Sequence, residues 1–286
     1  HLWIGGAWVE SQSGECYTRR NPATGEPISR HDRASAEEAE LAVRAAREAF
    51  DHGPWPKMAA AERGQVLHDT AELMRTDLER LAKIITEETG KPIAQSRGEI
   101  RTTANLFDHF AHLALEIHGE TYAVSGSYDA LVTREPVGVA AAIVPWNFPI
   151  MMLAFKVAPA LAAGCTMVCK PAELTNSIVA EVCLLFQKAG LPDGVLNLVS
   201  GRGSVVGTAL AQSPLVDKVT FTGSTAVGRS VLKNAADSLK HVSLELGGKS
   251  PHLVFEDVEN MDDAVDAACC NVFFNQGAVC DGGTRL

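Results

Sequence analysis

After a short strand-like start, apolar positions along this chain follow helical spacing to about residue 117, and beyond residue 137 short apolar runs alternate with helices. The opening residues 2–9 give two strand-like runs about Gly5-Gly6. Ser35 followed by Glu38 is a capping box, in which hydroxyl and carboxylate satisfy free N–H groups, and it opens a helix that runs to about Phe50. A second helix fits residues 60–89, closed by Gly90, and a third begins near Pro92 and continues to about Ile117. Residues 121–134 then alternate polar and apolar about Ser125-Gly126-Ser127, which predicts an exposed hairpin. Such an edge is either left unused or pairs with another chain.

Beyond residue 137 the pattern predicts strands over 139–144, 166–170, 195–199, 218–222, 242–244 and 252–255. Helices are predicted between and after them, over 149–163, 176–189, 203–212, 224–236 and 262–274. Continuous apolar strands joined by helices predict an α/β fold with a doubly wound, mostly parallel, Rossmann-like sheet covered on both faces. Sheets of this kind bind ligands at the carboxyl ends of their strands. Residues 137–155 carry no charge and are long enough for a membrane span. Pro145 and Pro149 flank Asn147 in the middle of that stretch, however, so strand, turn and helix is the better parse.

Composition narrows the class. At roughly 150 residues per domain, 286 residues make one large or two modest domains. A chain that is 46% hydrophobic and 21% charged is neither disordered nor collagen-like. Its net charge of -10, with no basic run, disfavours nucleic acid and anionic membrane as partners. Seven cysteines are an odd number in a chain too long to need staples, which implies reduced thiols and a cytoplasmic location. The chain opens on His1, so a processed or trimmed start is expected and no signal peptide can be judged.

Several segments have residue types suited to chemistry. Gly203 and Gly207 open a helix after a strand, although their spacing is one residue longer than the dinucleotide fingerprint. Gly223-Ser224 ends a strand and begins a helix whose free N–H groups suit a pyrophosphate, or Ser224 is an ordinary N-cap. Asn147, fixed between two prolines, is either an oxyanion donor or a turn residue. Glu245 lies between Leu244 and Leu246, where burial would raise its pKa toward that of a general base; pairing with Lys249 is the plainer alternative. Cys280 follows a helix and turn and is one of seven candidate nucleophiles. His109 and His112 share a helix face without the partners that complete a zinc site, and Cys165 and Cys169 are better explained as core residues, so no metal is expected.

Taken in chain order, Pro145-Trp146-Asn147-Phe148-Pro149, Lys170-Pro171-Ala172-Glu173, Phe221-Thr222-Gly223-Ser224-Thr225, Leu244-Glu245-Leu246-Gly247-Gly248-Lys249-Ser250-Pro251 and Phe273-Phe274-Asn275-Gln276-Gly277 leading to Cys280 closely resemble the NAD(P)-dependent aldehyde dehydrogenase superfamily. The resemblance implies that Cys280 attacks the aldehyde and that Asn147, with the Cys280 N–H, forms the oxyanion hole. Glu245 would then deprotonate the water that releases the acid, and Lys156 would favour anionic intermediates. It implies NAD, with NADP possible: Lys170 and Glu173 would hold the adenosine ribose, and a carboxylate at Glu173 would repel a 2′-phosphate. Gly203, Gly207, Gly223 and Ser224 would line the phosphates and adenine. Val144, Trp146, Asn147, Phe221, Val227, Glu245, Leu246 and Gly247 complete the cofactor site. Phe148, Met152, Phe155, Phe274, Val279 and Asp281 would line the substrate pocket, where Asp281 favours a polar or cationic aldehyde. A coenzyme-A-acylating relative, which generally lacks this glutamate, and a non-catalytic nucleotide-binding protein are the competing functions. The hairpin, at about 118–136, matches the family's oligomerisation arm and implies a homodimer or homotetramer. The implied division is an NAD-binding domain over 1–246 and the beginning of a catalytic domain over 247–286, with its remainder absent six residues after Cys280.

Overall fold

In the computed structural model, which describes residues 1–126 and 128–286, the chain is built on a seven-stranded sheet. The strands and helices run β1 (Leu2–Ile4), β2 (Ala7–Val9), β3 (Cys16–Arg20), β4 (Pro27–Asp32), α1 (Ala36–Asp51), α2 (Ala60–Thr76), α3 (Leu78–Thr89) and α4 (Ile93–Leu113). They continue through β5 (Glu120–Ala123), β6 (Asp129–Val132), β7 (Val139–Ile143), α5 (Pro149–Ala162), β8 (Thr166–Lys170), α6 (Asn176–Lys188) and β9 (Leu196–Leu198). The last are α7 (Thr208–Gln212), β10 (Lys218–Gly223), α8 (Thr225–Ala235), β11 (His241–Leu246) and α9 (Met261–Phe273).

The sheet order is β11-β10-β7-β8-β9-β1-β2. The first five are parallel, and β1 adds antiparallel to β9 with β2 outside it. Read from β9, the parallel part is third-second-first-fourth-fifth, the doubly wound order, and its direction reverses between β7 and β10. Alternating residues of each strand feed two cores. Ala140, Ala142, Met167 and Cys169 pack with Leu67, Ile85, Phe107 and Leu153. Val139, Ala141, Ile143 and Val168 pack on the opposite side with Ala42, Val43, Leu210 and Phe221. The charge-free stretch after residue 137 is strand, turn and helix, and no helix among the described residues is long and apolar enough to cross a membrane.

The Ser35–Glu38 capping box forms as read, with Glu38 also accepting from Ser11 Oγ. Other expectations need correction. The helix predicted over 60–89 is two, because Asp77 (φ -104, ψ 20) turns the axis so that α2 and α3 each pack on α4 and α6. Residues 203–212 are not one helix: a wide turn, closed from Thr208 N–H to Gly203 O, precedes the five-residue α7. Residues 252–255 form no strand. Leu253 and Phe255 are 72% and 70% exposed, and the neighbouring Pro251 makes only a single bridge, to Arg285; without a partner the backbone has no ladder to join. The β3–β4 hairpin was not predicted, although Asn21-Pro22-Ala23-Thr24-Gly25 supplies its turn residues. The β5–β6 hairpin is present with exposed Tyr122, Val124, Tyr128 and Leu131; Ser127 of its predicted turn lies outside the described residues.

Candidate active site

Two loops are fastened together at the carboxyl edge of the sheet. The first follows β7. Val144 N donates to Lys170 O at 3.0 Å, and then Pro145 and Pro149 bracket Trp146, Asn147 and Phe148, with Pro149 at the first position of α5. Glu99 of α4 caps that helix, one carboxylate oxygen accepting from Ile150 N at 3.2 Å and Met151 N at 3.3 Å. Its counter-ion is Lys91, and both side chains are almost fully buried. Burial pushes the Glu99 carboxyl up and the Lys91 amine down, while their pairing opposes both shifts. Lys91 Nζ also lies 4.1 Å from the centre of the Phe148 ring, which stacks on Phe274.

The second loop follows α9, whose N-terminus is capped by Asn260. After Phe273 the chain turns through three left-handed residues, Asn275 (φ 47), Gln276 (φ 61) and Gly277 (φ 76). That conformation is costly for a residue with a Cβ and persists only where neighbours hold it. Here Asn275 N donates to Gln95 Oε1, and Asn275 Nδ2 donates to Asn147 O at 2.9 Å. In return Asn147 Nδ2 donates to Ala278 O at 2.8 Å. The reciprocal amides fix the Asn147 turn against the segment that carries Cys280. An amide nitrogen has two hydrogens, so Asn147 keeps one for a ligand.

The exposed Cys280 borders two hollows. One, of ≈ 730 Å³, is walled by Gln95, Glu99, Phe148, Phe274, Val279 and Asp281. The other, of ≈ 430 Å³, is shaped by Thr225, Gly247, Gly248 and Lys249. Of the residues expected around the substrate, Phe148, Phe274, Val279 and Asp281 are therefore brought to the thiol. Met152 and Phe155 are not; they line a separate cavity of ≈ 680 Å³ with Lys156, Thr220, Ser243 and Glu245.

Glu245 is also exposed rather than buried. Strand alternation is the reason: Leu244 and Leu246 pack on the core under β10 and β11, so the residue between them points to the opposite face, into the open cavity shared with α5. Lys249 does not pair with it and donates to Gly248 O. Lys156 is buried beside that cavity and donates to Thr222 Oγ1 at 2.7 Å. Desolvation lowers its pKa from 10.5 to about 8, with Glu245 opposing the shift. Between those values an unfolded chain holds the proton and the folded one does not, so this site's contribution to stability rises with pH across about 8 to 10.5 and is a cost below 8. Lys156→Met should therefore raise the denaturation midpoint at pH 7, and the gain should shrink as the pH approaches 10.5. Stability–pH curves that run parallel in the two proteins would refute this.

The remaining expected cofactor residues lie along the same carboxyl edge. Val144 and Phe221 are buried, leaving only their main chain for a ligand, whereas Trp146 and Val227 are exposed. Leu246 is half-buried and Gly247 exposed at the end of β11. Ser224 Oγ accepts from Val227 N, which leaves the N–H groups of Thr225 and Ala226 without partners among the described residues. Those donors suit a pyrophosphate. Gly203 lies exposed in the wide turn, and a Cβ at Gly207 would touch Lys170 Cδ at 3.8 Å, so the turn sits on the end of β8. Lys170 is only 5% exposed, and its ammonium, with three hydrogens, makes one hydrogen bond among the described residues, to Pro171 O. Burial lowers its pKa to about 8. A buried, under-satisfied cation beside open amide donors fits a dinucleotide.

The histidine pair stays apart from any such site: His112 Nδ1 meets Asp108 O, and His109 packs against Phe110. His68, Glu72 and Asp108 do come together, but Arg75 bridges both acids and completes an ion-pair network. Sequence reasoning missed Gln95 and Glu99, which hold the two site loops from α4, and Lys91, which precedes that helix and pairs with Glu99; nothing in their local spacing marks them.

These features define a doubly wound α/β protein whose carboxyl-edge crevice adjoins an exposed thiol. A profile of the aldehyde dehydrogenase family matches residues 8–286, and the chain belongs to that family. It is 49% identical to aldehyde dehydrogenase family 2 member B4, mitochondrial, of Arabidopsis thaliana, over 99% of this chain and 53% of that protein. The crystal structure of NAD-dependent aldehyde dehydrogenase from Sinorhizobium meliloti superposes with a TM-score of 0.96 at 43% identity, over 99% of this chain and 56% of that one. An E. coli NADP dependent enzyme gives 0.95 at 40% identity, over 98% and 58%. The chain thus spans just over half the length of the relatives it matches.

Proposed function

We propose that the protein carrying this chain oxidises an aldehyde to a carboxylic acid, using NAD, through a covalent bond to Cys280. The observation that carries this reading is the amide exchange between Asn147 and Asn275, which ties the thiol's loop to a turn with a spare N–H. The Cys280 thiolate adds to the carbonyl carbon, and the oxygen gains the negative charge, which Asn147 Nδ2 and the Cys280 N–H stabilise as donors. NAD, when bound, supplies the acceptor for the hydride leaving that carbon. The carbon then remains attached to Cys280 as a thioester, which water cleaves. Glu245 is assigned to take the water's proton: it is an exposed carboxylate, and its strand leads into Gly248, where an added Cβ would lie 3.5 Å from Cys280 O. Burst formation of NADH by the full-length protein, with turnover independent of coenzyme A, is the expected result. A coenzyme A requirement would favour the acylating relative, and no burst would favour a non-catalytic protein.

The substrate is read from the cavity beside the thiol. Phe148, Phe274 and Val279 are apolar walls and Asp281 is an exposed carboxylate, a combination that favours an aldehyde bearing a polar or cationic group. Asp281→Asn should lower kcat/KM for cationic aldehydes about 2- to 5-fold relative to neutral ones, the worth of a solvent-reached charge pair. An unchanged ratio would dismiss the idea. The exposed apolar residues of β5–β6 support a homo-oligomer, dimer or tetramer, through that hairpin. Seven unpaired cysteines support a reducing compartment such as the cytoplasm. We divide the chain after residue 246, where the last strand of the sheet ends, into a cofactor-binding part and the start of a catalytic part.

A further inference from the structure

The expected preference for NAD rests on a free carboxylate at Glu173, and that carboxylate is not free. Arg33, between β4 and the N-cap of α1, donates from Nε to Glu173 Oε1 at 2.6 Å. Its guanidinium is steadied over the Tyr17 ring, 5.0 Å from the centroid, and its backbone is pinned by Glu15 O and by the Ser11 and Ser13 hydroxyls. The two terminal nitrogens of Arg33 have no hydrogen-bond partner among the described residues. Arg33 also borders a hollow of ≈ 340 Å³ with Ser35, Arg202 and Val205, the last two in the segment around the Gly203 turn. Arg33, Glu173 and Lys170 thus form one cluster with a net charge of +1 while Lys170 is protonated. Without Arg33 the pair would be neutral. The other charges at the hollow are Arg202, paired with Glu15, and the exposed Glu37.

We propose that Arg33 is a specificity-determining residue that lets the adenosine-ribose site accept a 2′-phosphate, so that the protein binds NADP as well as NAD. The inference rests on the reading that Lys170 and Glu173 hold that ribose. A guanidinium presents paired N–H groups in the planar fork that matches a phosphate, and its charge offsets the repulsion from Glu173. Nε keeps Glu173 in place while the terminal nitrogens meet the phosphate, so neither contact has to be broken to make the other.

The test is calorimetric titration of the full-length protein with 5′-AMP, 2′,5′-ADP, NAD and NADP, which reads binding apart from turnover. The parent should bind 2′,5′-ADP at least as tightly as 5′-AMP. Arg33→Gln should weaken 2′,5′-ADP and NADP about 10- to 100-fold, the worth of a charge-assisted hydrogen bond, and 5′-AMP and NAD less than about threefold. Arg33→Lys should recover part of the loss, and the parent's affinity for 2′,5′-ADP should fall more steeply with salt than its affinity for 5′-AMP. Equal weakening of phosphorylated and unphosphorylated ligands in Arg33→Gln would overturn the proposal, since Arg33 would then act only by holding Glu173. So would rejection of 2′,5′-ADP by the parent. Failure of the underlying reading shows separately: Glu173→Gln would leave NAD and 5′-AMP affinities unchanged.

Discussion

Replacing Cys280 by serine should lower kcat for aldehyde oxidation by the full-length protein more than about 10⁴-fold while leaving cofactor binding and thermal stability near those of the parent. The thiol is exposed, so the exchange removes little packing, and serine is a far weaker nucleophile because its hydroxyl barely ionises at neutral pH. Cys269, equally exposed on α9 but outside the cavity walls, is the control: Cys269→Ser should change kcat less than about twofold. Asn147→Ala should cost about 10²–10³-fold in kcat. Part of that loss comes from position, because Asn147 Nδ2 also holds Ala278 O. A pre-steady-state burst separates the two variants: it vanishes in Cys280→Ser and is slowed but retained in Asn147→Ala. A full burst in Cys280→Ser would assign the nucleophile elsewhere.

How much of this was legible in the sequence depended on the range of the interaction. The parallel strands could be read because each is a continuous apolar run between helices, and the α1 cap could be read because its partners are three residues apart. The orientation of Glu245 was available in principle. Two flanking leucines suggest burial from composition alone, but in a strand they place the glutamate on the opposite face, where it borders the open cavity beside α5. Residues 252–255 have the composition of a strand, yet pairing requires a neighbour that composition cannot supply. The ties that shape the site are the least legible. Gln95 meets Asn275 across 180 positions, and Arg33 meets Glu173 across 140, so only the folded chain reveals that the carboxylate read as an NAD selector already carries a cation.

Glu99→Ala should destabilise the protein by about 3–5 kcal/mol, the cost of leaving a buried charge without its partner. Lys91 would be left with no carboxylate in a site where its side chain is 0% exposed, and two N–H groups at the start of α5 would lose their acceptor. Glu99→Gln separates these effects. Its amide oxygen still accepts from Ile150 and Met151, so α5 stays capped, while the unpaired ammonium persists. In Lys91→Met with Glu99→Gln no charge remains buried, and the double variant should regain more than half of the stability lost in Glu99→Ala. Denaturant midpoints rank the three, with Glu99→Ala lowest. Catalysis supplies a second readout. The same carboxylate fixes the helix that begins two residues after Asn147, and Lys91 sits over the Phe148 ring, so the loosened turn should lower kcat more than it raises KM. The double variant, with α5 still capped, should keep most of the parent's kcat although the ion pair is gone. If Glu99→Ala unfolds at the parent's midpoint and keeps the parent's kcat, the pair neither stabilises the fold nor positions Asn147.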